Sequence, residues 1–208
     1  MKKSLLTILT VSLFLTLSSA VESGQPKYKA LFNLTSDPRY YKYVEYKSPK
    51  KYENVMLLNI VDKRPEKEKV YNEDVQYFYD DIWTESPAKM LGKIILKELR
   101  ISNMFRSVDF DEKGPSLILE IELNSLMGHY DDKTRVARGV VKMHPTLRSA
   151  SDSRVIMDKT YEEISSSLAG RFTNAYRPMV IHIGKALNVV VKDMIGDLEN
   201  TLVKKSGK

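Results

Sequence analysis

The longest run of periodic polarity lies at the carboxy-terminal end of the chain. From Pro178 onward Val180, Ile183, Leu187, Val190, Val191, Met194, Ile195, Leu198 and Leu202 fall on one stripe, with Lys185, Asn188, Lys192, Asp193 and Glu199 opposite. That spacing predicts an amphipathic helix over 178–203, roughly 39 Å long at ~1.5 Å per residue. Nine such side chains contribute roughly 14 to 27 kcal/mol as an upper bound if all are buried, so the stripe needs a sheet or a partner to cover it. A second helix is predicted from Ser86 and Pro87 to about Ile101. Met90, Leu91, Ile94, Ile95 and Leu99 form its apolar face, and Lys89, Lys93, Lys97 and Arg100 keep the other face wet. Proline suits the first helical position, the serine oxygen can accept from free amides, and Asn103 tolerates the left-handed conformation that ends a helix.

The clearest alternation of period two is Leu117, Leu119, Ile121 and Leu123 against Ile118, Glu120, Glu122 and Asn124, which predicts a half-buried strand over 117–124. Further strands are predicted at 105–110, at 136–143 with Ala137, Gly139, Val141 and Met143 on one face, and at 155–164. Turn-forming clusters at 131–133 and 149–152 make these consecutive antiparallel hairpins. The run 55–61 is apolar on both alternating faces and reads as a central strand covered on both sides. The aromatic stretch 75–79 reads as another strand. The order is therefore ββαββββα. The fold class is α+β, a mostly antiparallel sheet with two amphipathic helices on one face.

At the amino terminus Lys2 and Lys3 precede an apolar run of about thirteen residues and then Ser18, Ser19 and Ala20, the three parts of a secretory signal peptide. Residues 1–20 are expected to be a signal peptide cleaved after Ala20, and the protein to be periplasmic. As a helix the run covers roughly 20 Å, short of a bilayer core of ~30 Å, and a retained anchor is the alternative reading. Residues 21–53 form a tyrosine- and lysine-rich lead-in, an arm with a short edge strand. Residues 54–204 form one α+β domain.

The 208 residues carry a formal net charge of +6, 42% hydrophobic and 29% charged positions and no cysteine. This is the composition of one globular domain whose core is held by packing alone, without disulfides or thiolate sites. The basic balance is interspersed with acids and does not call for nucleic acid. His129, His144 and His182 have no metal-motif spacing, so no metal and no cofactor are expected. Ser165, Ser166 and Ser167 lack the glycine-flanked turn of a hydrolase serine, and no basic partner for them is evident. Asp80–Asp81 and Asp131–Asp132 are adjacent acids that point to opposite faces of a strand. No catalytic residues are assigned, and the protein is expected not to be an enzyme. Tyr40, Tyr41 and Tyr43 in the arm, with Tyr77, Tyr79 and Trp83 before the first helix, are the candidate interface or ligand groove, with core packing as the competing account.

The stretch 79–91, through Trp83, Glu85, Ser86 and Pro87, resembles the tryptophan, acid, small residue, proline motif that enters the first helix of the ABC-type transport auxiliary components, the PqiC-like envelope proteins. Phe105 and its neighbours resemble the strand that follows that helix, Arg39 to Tyr43 an early tyrosine pair, and Ala186 and Leu187 the final helix. Trp83, Pro87 and Phe105 are the structural motif positions. The resemblance implies a non-enzymatic accessory subunit of an ABC-linked system moving lipid or another hydrophobic substrate across the envelope. Its partners would be the transporter and a membrane-anchored substrate-binding subunit, with lipid and a homo-oligomer as further candidates. Many members are outer-membrane lipoproteins, and this chain departs from them in having no cysteine to carry a lipid anchor. Two other readings remain open: a periplasmic module that itself binds an apolar ligand, and an assembly factor of another envelope machine.

Overall fold

The computed structural model describes residues 32–68, 82–131, 133–169 and 176–206. The chain divides into two units, Met1–Ala30 and Leu31–Lys208, and the described residues all belong to the second. The signal segment and the strand at 75–79, with Tyr77 and Tyr79, lie outside the described residues. The elements are β1 (Tyr52–Asp62), a 3-10 turn (Glu66–Glu68), α1 (Pro87–Ser102), β2 (Phe105–Asp109), β3 (Leu117–Asp131), β4 (Val136–Ser149), β5 (Val155–Asp158), β6 (Tyr161–Leu168) and α2 (Tyr176–Ser206). They form an α+β fold with one mixed sheet, in the order β2-β1-β3-β4-β5, with β6 also on β4.

The consecutive antiparallel hairpins expected from the strand at 117 onward are present, whereas the strands before it are parallel. β2 and β3 are not neighbours, because β1 lies between them and is parallel to both. Chain that leaves β1 and returns parallel to it needs a crossover, and α1 belongs to that crossover. The apolar β1 thereby takes an interior position, with Met56, Leu58 and Ile60 opposite Leu117, Leu119 and Ile121. Its helix-side residues Met56 and Leu58 are buried. Val55, Leu57 and Val61 on the other side are only partly covered, so β1 is sealed on one face rather than two. The β3–β4 and β4–β5 hairpins turn where the polar clusters placed them.

Two irregularities explain where strand patterns failed. The register passes from Leu123 opposite Met143 to Ser125 opposite Lys142, so Asn124 is an inserted residue. The buried phase moves by one, from Leu117, Leu119, Ile121 and Leu123 to Leu126, Gly128 and Tyr130, and the strand continues to Asp131. The single strand expected over 155–164 is two strands in line along β4, interrupted at Lys159 and Thr160 opposite Pro145. Pro145 has no N–H to give the ladder, although its carbonyl still accepts from Lys159 N at 3.3 Å.

Both helices lie on one face. A methyl group on Gly92 of α1 would touch Ile60 of β1, and one on Gly139 of β4 would meet the α2 backbone. Pro87 opens α1 and Asn103 closes it at φ 52°, ψ 26°, while the Ser86 side chain makes no capping hydrogen bond. Every residue of the predicted α2 stripe is buried. Glu199 departs from its expected wet position and is buried too, for the reason given below. Among the described residues no helix is long and apolar enough to cross a membrane.

At Gly139 an added Cβ would lie 2.1 Å from the backbone nitrogen of Ile183, whereas at Gly196 nothing lies within 4 Å. Gly139→Ala is therefore expected to destabilise the protein by about 3 kcal/mol or more, since neither backbone can yield cheaply. Gly196→Ala should stabilise it by about 0.5–1 kcal/mol through helix propensity. Urea unfolding of the two variants checks both signs.

Candidate functional site

The lead-in is a strap drawn across both helices. It begins at Phe32, whose N–H donates to Ile82 O at 2.8 Å and whose carbonyl accepts from Thr84 N at 3.0 Å, forming an isolated bridge to Trp83. Short turns follow. Asn33 Oδ1 accepts from Thr35 N, and Asp37 is clamped by Arg39, which holds its carboxyl down at about 2. The strap then passes over α2 so closely that a methyl on Gly184 would fall on the Tyr40 carbonyl. Asn188 Nδ2 donates to Lys42 O at 2.6 Å.

Two buried carboxylates fasten it. Glu98 of α1 is fully buried and accepts from Tyr41 Oη at 2.8 Å, Val44 N at 2.6 Å and Glu45 N at 3.3 Å. An ionised carboxylate without water needs that many donors. Burial and the neighbouring Glu98 charge push the Tyr41 phenol far above its ordinary value. Glu199 of α2 accepts from Tyr46 Oη and from Ser48 Oγ. Its own pKa is raised by burial. Lys47 Nζ donates to Ile101 O at 2.7 Å, capping the end of α1, and the strap runs into β1 through Tyr52 N and Met104 O at 2.7 Å.

Beside the strap lies an open cleft of about 550 Å³ between α2 and the β5–β6 interruption, lined by Tyr46, Lys159, Tyr161, Lys192, Asp193 and Asn200. Asp197 anchors its wall, accepting from Lys159 Nζ at 2.5 Å and Tyr161 Oη at 2.6 Å. These two donors hold the Asp197 carboxyl below its usual range, and burial followed by Asp197 pushes the Tyr161 phenol well up. Farther along the same seam His182 is buried between Ser165 Oγ on Nδ1 and Ser167 Oγ on Nε2, both at 2.8 Å. The basic partner that the serines lacked in the sequence is thus present in space. Both ring nitrogens are occupied by hydroxyls, and among the described residues no carboxylate orients the ring, so the arrangement ties α2 to β6. Among the described residues no group of three or more metal-ligating side chains is gathered.

The sequence-selected residues are only partly brought together. Tyr41 and Trp83 are buried. Tyr43 is half-buried, edge-on to Tyr41 at 5.3 Å, with Lys97 Nζ 3.8 Å above its ring. Tyr40 packs edge-on against Phe32 at 5.8 Å, which links it to Trp83. Pro87 is the first residue of α1, and Phe105 is buried beside Tyr52 in β2. The residues missed were Phe32, Glu98, His182, Asp197 and Glu199. Glu98 had a legible signal, since it lies four positions after Ile94 and three after Ile95, on the apolar stripe of α1.

No family model matches the chain, and no curated protein sequence matches it. Solved structures do. A Xanthomonas campestris protein of the DUF330 family superposes with a TM-score of 0.63 at 14% identity, over 78% of this chain and 94% of that one. A hypothetical protein from Chlamydia trachomatis gives 0.49 at 6% identity over 72% and 98%, and a lipoprotein from Neisseria meningitidis 0.34 at 9% over 72% and 99%. At these identities the likeness to the Xanthomonas protein is one of fold, and it is consistent with the resemblance seen around Trp83.

Glu98→Ala should cost about 2–3 kcal/mol by orphaning the buried Tyr41 hydroxyl and two part-buried backbone donors, with Glu98→Gln milder because one carbonyl oxygen remains. Gly184→Ala should lift the strap and speed tryptic cleavage at Lys42, Lys47 and Lys50 several-fold in native buffer. The His182 pKa is lowered from 6.5 by burial and by Lys185. The folded state therefore holds its proton less tightly than the unfolded chain, and stability falls as pH drops below 6.5. Between pH 7 and 5 the melting temperature of the native protein should fall further than that of His182→Gln, measured by calorimetry.

Proposed function

We propose that the protein is a non-catalytic periplasmic accessory subunit of an ABC-linked system that moves lipid or another hydrophobic substrate across the cell envelope, and that it acts by docking. The likeness in fold to the DUF330 protein, at a TM-score of 0.63, carries this reading together with the Trp83 motif. The signal-like amino terminus and the tightly bonded strap support it. Tyr41, Val44, Glu45, Tyr46 and Ser48 of the strap are spent on Glu98 and Glu199 and Lys47 on the end of α1, which makes it a structural brace with Lys42, Lys50 and Lys51 exposed. Four cations of α1, Lys89, Lys93, Lys97 and Arg100, are exposed along one row beside it, a surface suited to an acidic partner.

Crosslinking a carboxy-terminally tagged protein in cells, then identifying attached chains by mass spectrometry, tests this. Recovery of a transporter and its membrane-anchored substrate-binding subunit is the expected result, weakened by Lys93→Glu/Lys97→Glu. Recovery of another envelope machine instead would overturn it in favour of an assembly factor. Lipid co-purifying with the isolated protein, without any transporter, would favour the ligand-binding reading.

A further inference from the structure

We propose that the cleft on the outer side of α2 is a binding site for a sugar unit of a glycan chain. Comparison of the glycines of α1 and α2 points to it. Gly92 and Gly184 have packing reasons to lack a side chain, because a methyl group would press on Phe110 and Ile60 at the first and fall on the Tyr40 carbonyl at the second. Gly196 has none, since nothing lies within 4 Å of the place a methyl would take, and it lines the cleft. Glycine weakens a helix interior and here relieves no contact in the fold, so what it provides is the open floor itself.

Helix geometry sets Gly196 and Asn200 between two fastened walls. At about 100° per residue Asp197 and Glu199 lie on opposite flanks of α2, with Asp193, Gly196 and Asn200 on the arc between them that faces away from the buried stripe. Asp197 holds Lys159 and Tyr161 on one flank, and Glu199 holds Tyr46 on the other. Both bonds to Asp197 end on Oδ2, so Oδ1 has no hydrogen-bond partner among the described residues. With the Asp197 side chain 34% exposed, that oxygen is an acceptor fixed in place and open to a ligand. Lys192, Asp193 and Asn200 are exposed, and among the described residues their side chains make no hydrogen bond or ion pair.

The groups present select among ligands. Among the described residues the lining contains no Leu, Ile, Val, Met or Phe, which leaves an acyl chain without apolar cover. The lysines do not make an anion site, because the charge of Lys159 is answered by Asp197 and Lys192 stands beside Asp193. Nor do the acids make a cation site, since Lys159 Nζ already sits on Asp197. What remains is a mixed array of carboxylate and amide acceptors with ammonium and amide donors. A sugar hydroxyl both donates and accepts, so each one finds a partner in such an array. The Tyr46 ring lines the cleft while Glu199 holds its hydroxyl, a rigid apolar surface for the C–H side of a pyranose. At about 550 Å³ the cleft lies within the ~300–1,000 Å³ range of small-ligand sites, and being open it lets the rest of the chain continue into solvent.

Titration of the purified, nitrogen-labelled protein with chitotriose and with maltotriose, followed by amide chemical shifts, tests the proposal. Saturable shifts confined to Tyr46 and residues 159–162 and 192–200, with at least one of the two sugars, are the expected result. Gly196→Gln fills the floor of the cleft. It should keep or raise the melting temperature, because glutamine is the better helix former, while weakening binding about tenfold or more. Asn200→Ala should weaken binding about fivefold, the loss of one hydrogen bond, with the fold unchanged. No saturable shift with either sugar in the millimolar range, shifts with inorganic phosphate and neither sugar, or unchanged affinity in Gly196→Gln would overturn the proposal. The purified protein suffices for every arm, so the outcome is independent of the accessory role proposed above.

Discussion

One turn of α2 is held between two other layers with no space to spare. On its inner side the backbone at His182 and Ile183 presses on Gly139 of β4, and on its outer side Gly184 admits the Tyr40 carbonyl of the strap. Three consecutive residues therefore fix the separation of sheet, helix and strap, which is possible only because the two contact points have no side chain. The buried stripe of α2 supplies the attraction, from Val180 to Leu202, and the two glycines set how close it can come. The position of the β6 edge follows, since the His182 and Asp197 contacts lock it to the same helix.

The second constraint is electrostatic. Glu98 and Glu199 are acids on core-facing positions of different helices, and the strap answers each in turn, first with Tyr41, Val44 and Glu45, then with Tyr46 and Ser48. The two sets follow one another directly, Glu45 on Glu98 and Tyr46 on Glu199, which converts two local hydrogen-bond sets into a tie between helices. Removing the strap would strand two buried charges, a heavier loss than any single tyrosine contact. Between its bridge at Phe32 and its entry into β1 the strap is held by side-chain hydroxyls and by the Val44 and Glu45 backbone donors, which are directed at a carboxylate instead of a ladder.

Much of the fold was legible because periodicity maps directly onto burial. The α2 stripe, the α1 face and its end at Asn103, the alternation from Leu117 to Leu123 and the inward face of β4 at Ala137, Gly139, Val141 and Met143 were all readable. What was not readable depended on partners distant in sequence. The phase break at Asn124 ended the visible alternation although the strand continues, because a bulge is a property of two strands. The placement of β1 between β2 and β3 was hidden for the same reason. The candidate site was less legible than the fold. Interleaved tyrosine and lysine suggested a surface, yet Tyr41 is buried on an acid 57 positions along the chain, one on a helix stripe that only its misplaced polarity could betray. Ser165 and Ser167 found their histidine only through the antiparallel course of α2.

The same features that stabilise the molecule decide which surfaces remain for function. The strap consumes the hydroxyls of Tyr41 and Tyr46 and leaves Lys42, Lys50 and Lys51 exposed, and α1 presents its cationic row beside it, partly neutralised by Glu85 against Lys93 and by Asp109 against Arg100. That side is charged and salt-sensitive, suited to reversible contact. The β6 edge has the opposite character, with Ile164, Leu168 and Val189 exposed and, among the described residues, no ladder partner on its outer side. Backbone pairing with apolar cover favours a persistent contact, whereas exposed ion pairs favour an exchangeable one. The surface is thereby divided into a charged side along α1 and the strap and an edge at β6 where the exposed side chains Ile164 and Leu168 are apolar.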